Sequence, residues 1–212
     1  RADSVQEQRD LIGAGRKNLI LNGSMQVAQR GTSTTGVGTV VAYNTADRWR
    51  FADSANPNVR FTETQSTDAP DGFANSRKFE VTTADASIAA GDLQYTDQFI
   101  EAQDLQHLKY GTANAEKITL SFYVKSSVAQ TFGLNLYHHN GGGAYPVSYT
   151  VDSVDTWERK ILTLNGNTST AFNNDAGRGL RVRFALTAGS NYVSGSDTTS
   201  WTSGTFGQHS NA

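Results

Sequence analysis

An all-β fold, a sandwich or a barrel, is the expectation from three features of this 212-residue sequence. Apolar and polar residues alternate with a period of two over many short stretches, as in strands with one buried and one wet face. Clusters of Gly, Asn, Asp and Ser separate these stretches at the spacing of a strand-turn-strand chain. Charged residues make up only 18% of the chain, below the roughly 25% of ordinary globular domains. The polarity comes instead from Thr, Ser, Asn and 20 glycines, which are strand and turn formers.

Residues 1–16 read as a helical connector or the end of a stalk. Ser4 and Glu7 have capping-box spacing, Val5 and Ile12 lie one heptad apart, and Gly13 and Gly15 supply a stop. Two turns of helix cannot stand alone in water. The sandwich is expected over 17–189. Asn18 to Leu21 reads as a strand ending at the hairpin signal Asn22-Gly23, and Ser24 to Gln29 as the next strand. A Thr/Ser/Gly-rich loop is expected from Gly31 to Gly38. Alternating runs follow at 48–51, 59–62, 78–82, 117–125, 131–139, 157–164 and 180–186, for roughly ten strands in all. In the clearest of them Ile118, Leu120, Phe122 and Val124 face inward, against Thr119, Ser121 and Tyr123 outward. A turn or two of helix is expected over 101–109, where Ala102, Leu105 and Leu108 fall at helical spacing. Trp49, Trp157 and Phe122 read as core. Residues 190–212 lose the alternation and read as a long loop or as strands lacking partners. The start at Arg1 rather than Met is expected of a processed product or a fragment.

Several functions find no support. A net charge of −2 gives no electrostatic reason to hold nucleic acid, and no apolar run approaches the ~18 residues of a membrane span. With no cysteine, disulfides, thiolate metal sites and Cys nucleophiles are excluded. The histidines are His107, His138, His139 and His209. Adjacent His138 and His139 on a strand point to opposite faces and cannot share a metal. Ser194-Gly195-Ser196-Asp197 is superficially similar to a nucleophile elbow but sits in low-complexity sequence. Gly141-Gly142-Gly143 precedes no helix and reads as a hairpin tip rather than a phosphate loop. No metal, no cofactor and no catalytic set is expected.

Lys17-Asn18-Leu19-Ile20-Leu21-Asn22-Gly23-Ser24-Met25-Gln26-Val27-Ala28-Gln29-Arg30-Gly31-Thr32, then Tyr43 and Thr45-Ala46-Asp47-Arg48-Trp49, resembles tail-fibre and appendage proteins of tailed bacteriophages. Gln98-Phe99-Ile100-Glu101, the stretch 105–113, Thr119 to Ser126 and Asp155-Thr156-Trp157-Glu158 extend the resemblance over most of residues 17–165. The Asn-Leu-x-x-Asn-Gly opening, the strand ending in Lys-Ser and the Thr-Trp before a strand are also similar to jelly-roll, galactose-binding-like carbohydrate-binding modules. The resemblance implies a jelly-roll β-sandwich, a place on the virion in a tail fibre or other appendage, and assembly as a homotrimer with other virion proteins. It also implies a closing strand beyond Ala212, so the chain is expected to be truncated.

The functional expectation is host attachment by binding a cell-surface glycan, without enzymatic activity, membrane insertion or nucleic-acid binding. An aromatic face stacks on the apolar face of a pyranose while amide and guanidinium groups bond its hydroxyls. The alternation places Tyr123, Lys125, Asn135, Tyr137, His139, Arg181 and Arg183 outward on their strands, and Tyr123, Asn135, Tyr137, His139, Arg181 and Arg183 are the candidate sugar-binding residues. Two other readings stay open: a carbohydrate-binding module of a secreted glycosidase, and a ligand-free virion adaptor or head decoration.

Overall fold

The computed structural model describes residue 4 and residues 18–54, 57–193 and 197–203. Apart from Ser4, the expected connector at 1–16 lies outside the described residues, as do residues 194–196 and His209. Ten strands form among the described residues: β1 (Ser33–Val37), β2 (Arg50–Ser54), β3 (Arg60–Ser66), β4 (Ser76–Thr83), β5 (Leu93–Glu101), β6 (Ile118–Val124), β7 (Thr131–His138), β8 (Gly143–Thr150), β9 (Glu158–Leu164) and β10 (Arg178–Ala188). All neighbouring pairs are antiparallel.

β2-β5-β10-β7-β8 form a five-stranded sheet, β1-β3-β4 a three-stranded sheet and β6-β9 a ribbon. The two smaller sheets pack against one face of the large one, giving an all-β sandwich of the jelly-roll class. Period two on β10 explains the packing. Leu180, Val182 and Phe184 meet Leu134 and Leu136 of β7 and the inward residues Leu120, Phe122 and Leu162 of the ribbon. Further along, Leu186 joins Phe51, Phe61 and Phe79 beneath the three-stranded sheet. Those three rings lie 6.0–6.4 Å apart, centroid to centroid. Each fully buried leucine contributes about 1.5–3 kcal/mol by leaving water.

Ala102–Leu108 is a 3-10 turn that buries Ala102, Leu105 and Leu108, the spacing read from the sequence. It ends at Lys109 in the left-handed conformation (φ 53°). The Gly141–Gly143 run is the β7–β8 hairpin tip, where His138 pairs with Gly143. Residues 197–203 follow the outer edge of β8, Ala144 and Thr202 exchanging hydrogen bonds of 3.0 and 2.8 Å. This approach requires glycine at 143, since a Cβ there would stand 1.9 Å from the Thr202 carbonyl oxygen. Trp201 caps the core edge-on to Tyr110, His138 and Tyr145, at 5.6–5.9 Å.

Three expectations are corrected. Residues 18–21 and 24–29 form the turn at Asn22-Gly23 but no strands. Their main chain is taken up by side-chain amides: Gln98 accepts from Leu21 N (2.7 Å) and donates to Leu21 O (2.8 Å), and Gln65 donates to Met25 O (2.6 Å). Conversely, the loop expected at 31–38 contains β1, whose Ser/Thr/Gly composition hides an edge strand. It is bulged where Gly36 takes φ 69°. Trp157 is half-buried rather than core, its indole donating to Asp68 (3.0 Å). Trp49 is buried as expected, and Phe122 is half-buried with its ring against Tyr149 and Phe184.

Leu136 sits where β7 meets the ribbon and is 1% exposed. Leu136→Ala is expected to lower the unfolding free energy by about 2–5 kcal/mol, read from urea denaturation.

Candidate functional site

The second face of the five-stranded sheet is charged and aromatic. Register puts Arg50 and Arg183 directly opposite Asp97 on its two sides, with Arg181 two residues along β10 from Arg183. Asp97 is fully buried. It accepts two hydrogen bonds from Arg50, at 2.9 and 2.7 Å, and one from Arg181 Nε at 2.5 Å. Arg181 also donates to the Tyr95 hydroxyl (2.9 Å), and the Arg183 guanidinium lies 4.0 Å over the Tyr95 ring. Burial, then neighbouring Arg181, pushes Arg183 down from its usual value to about 9, which leaves it charged at neutral pH. Phe99, next on this face of β5, has the guanidinium groups of Arg178, Arg50 and Arg181 at 4.3, 4.6 and 5.0 Å from its centroid.

Phe99 also lines a cleft of about 400 Å³ at the C-terminal end of β5, within the range of small-ligand sites. Its lining comes from three places in the chain: Gln29 and Arg30 with Tyr43, Asp47 and Arg48 of the loops, the end of β5 at Glu101, and residues 176–178. Tyr43 is 41% exposed. Arg30 pairs with Asp47 at 3.3 Å and has its guanidinium 5.7 Å from the Tyr43 ring. Arg178 and Glu101 are cross-strand partners, and Arg48 holds its backbone at φ 71°. The cleft combines an exposed aromatic, a cation-backed ring, two carboxylates and three guanidinium groups, the inventory for stacking on a sugar and bonding its hydroxyls.

Side chains, not strand ladders, place these walls. The Asn22 amide donates to Val27 O (2.9 Å) and Asp47 O (3.0 Å), and its oxygen accepts from Val27 N (3.0 Å). Buried Glu63 accepts from Asn44 (3.0 Å), Thr45 (2.5 Å) and Arg77 (2.9 Å), pinning the loop beside Tyr43. Burial alone would raise the Glu63 carboxyl, but Arg77, Thr45 and Asn44 hold it below the ordinary carboxylate range. A smaller gap of about 210 Å³ lies between β8, β9 and residues 197–199. Its carboxylate Asp197 is engaged by Ser148 at 3.1 Å. No group of three or more His, Asp or Glu among the described residues could hold a metal ion, and no helix there is long and apolar enough to cross a membrane.

Of the six sequence-predicted residues, Asn135, Tyr137, His139, Arg181 and Arg183 do share one face, Arg183 opposite Asn135 and Arg181 opposite Tyr137. Tyr123 is elsewhere, exposed on the outside of the ribbon against Phe73 at 5.6 Å. The expectation that Asn135, Arg181 and Arg183 face water is corrected, since all three are buried. β7 and β10 are interior strands of the five-stranded sheet, and the arginines lie across neighbouring rings and onto Asp97. Tyr137 and His139 are half-buried and in contact at 4.9 Å, and His139 lies 5.3 Å from Phe99. Arg30, Tyr43, Asp47, Arg48, Glu101 and Arg178 were missed by a strand-based reading because they sit on loops and strand ends. All but Arg178 lie in the segments that carry the family resemblance, which was the available signal.

Two outcomes follow. Asp97→Asn removes the carboxylate that buried Arg181 and half-buried Arg50 both engage and is expected to lower the unfolding free energy by about 3–5 kcal/mol. His139 is pushed down to about 4, first by burial and then by Arg181, Arg178 and Arg183, with Asp97 opposing. His138, stacked on Phe172, is lowered by burial. Both then bind fewer protons folded than unfolded, where histidine titrates near ~6.5. Stability is therefore fully present above that value and falls as pH drops towards 4. Thermal melting between pH 7 and 4 should show a decline that His139→Gln makes shallower.

No protein-family model matches this chain, and no curated protein matches it. Among solved structures, the enzymatically active domain of tailspike protein 4 of bacteriophage CBA120 is similar, with 18% sequence identity and a TM-score of 0.46 over 79% of this chain. The match spans 19% of that chain's length. That domain is described as enzymatically active, and the expectation that this chain is not an enzyme is withdrawn.

Proposed function

We propose that this chain is a domain of a phage tail appendage that attaches to host-surface glycan through the cleft between Tyr43 and Phe99. The observation that carries the reading is the pairing, in one cleft, of an exposed tyrosine and a half-buried phenylalanine with Arg30, Asp47, Arg48, Glu101 and Arg178. Aromatic faces supply stacking area and the charged groups supply directional hydrogen bonds to hydroxyls. Placement in phage appendages is supported by the sequence resemblance, whose segments supply Gln29-Arg30, Tyr43, Asp47-Arg48 and Phe99-Ile100-Glu101 to the walls. Several copies on one particle would raise weak single-site affinity into firm attachment.

An array of bacterial surface polysaccharides tests this with wild type and Tyr43→Ala. The wild type is expected to bind at least one glycan, and Tyr43→Ala to weaken that binding at least tenfold with melting unchanged, as about 1.4 kcal/mol of lost stacking implies. Unchanged binding in the variant overturns the cleft as the site. Release of reducing ends, followed in the same samples, reports whether the bound glycan is also cut.

A further inference from the structure

We infer that the cleft selects an acidic glycan, one carrying a carboxylate or phosphate, and that Arg48 and Arg178 are the groups that read its charge. The inference rests on the reading of the cleft as a glycan site. The observation is an imbalance among the cleft's ionic groups. Arg30 is engaged by Asp47 at 3.3 Å, whereas Arg48 and Arg178 are exposed and form no ion pair among the described residues, although Glu101 stands opposite Arg178 on β5. Arg178 rests on the Phe99 ring at 4.3 Å, which orients its guanidinium without neutralising it.

The guanidinium groups of Arg50 and Arg181, both paired with Asp97, also lie within 5.0 Å of the Phe99 ring centroid. His139, in contact with Phe99, is lowered first by burial and then by Arg181, Arg178 and Arg183. Glu101, the remaining carboxylate of the cleft, is half-buried and accepts a hydrogen bond from Gln103 at 3.0 Å. The cleft is thus a local positive site on a chain whose net charge is −2. Such a recess focuses an attractive field on an anion. Guanidinium groups grip carboxylate and phosphate through paired N–H donors, which a neutral hydroxyl does not match. Arg48 and Arg178 both line the cleft and come from separate segments of the chain.

The test uses the binders recovered from the polysaccharide array, each compared with its carboxyl-reduced form and its form dephosphorylated with hydrogen fluoride. Binding is expected only among acidic glycans and is expected to fall at least tenfold on removal of the acidic group. Which treatment abolishes binding separates carboxylate from phosphate. Arg48→Gln and Arg178→Gln should each weaken acidic binding about tenfold, leave melting unchanged and flatten its salt dependence. If neutral and acidic glycans bind alike, or reduced and dephosphorylated forms bind as well as the parents, charge selection is overturned while the glycan site stands. If no glycan on the array binds, the site reading fails, and charge selection falls with it.

Discussion

Asp97 is a carboxylate withdrawn from water in the middle of a five-stranded sheet, and the arrangement on that face turns on it. Two arginines from the flanking strands, Arg50 of β2 and Arg181 of β10, close on its oxygens. Such a pair contributes little net stability relative to well-packed apolar residues, because removing charges from water costs nearly what their attraction returns. Its effect here is geometric. It fixes which residues of β2, β5 and β10 stand opposite one another, and it lays both guanidinium planes against Phe99. The ring that floors the cleft is thereby held from behind while the apolar core holds the other face of the same sheet.

The cleft walls depend on a second device. Segments 18–29 and 43–48 run beside the sheet without joining it, and their main-chain groups still need partners. Gln98, Gln65 and Asn22 supply them, each through a side-chain amide that offers donor and acceptor together. Glu63, buried with Arg77, extends the same scheme to Asn44 and Thr45. A rigid sandwich thus carries irregular loops at defined positions, the usual arrangement for binding sites.

The fold was largely legible from the sequence because period two is a direct consequence of strand geometry, and runs such as 117–125 and 131–139 show it without interruption. What alternation cannot show is which face meets water. Arg181 and Arg183 read as an exposed face because charged residues on alternate positions ordinarily are exposed; on an interior strand of the sheet they are buried partners of Asp97 and Tyr95. The hairpin signal at Asn22-Gly23 marked a turn correctly, yet the flanking strands did not form, since amides from β3 and β5 took their hydrogen bonds. The cleft residues Arg30, Tyr43 and Asp47 carry no periodicity, and only the family resemblance marked their segments; Arg48 opens the alternating run 48–51 but lies before β2.

The most direct measurement of the central claim is chemical-shift mapping of the domain titrated with a glycan recovered from the array. Perturbations concentrated at Arg30, Tyr43, Asp47, Arg48, Phe99 and Arg178 are the result this structure leads to. Perturbations centred instead on Tyr123 and Phe73, on the outside of the ribbon, or scattered without a centre, would contradict it.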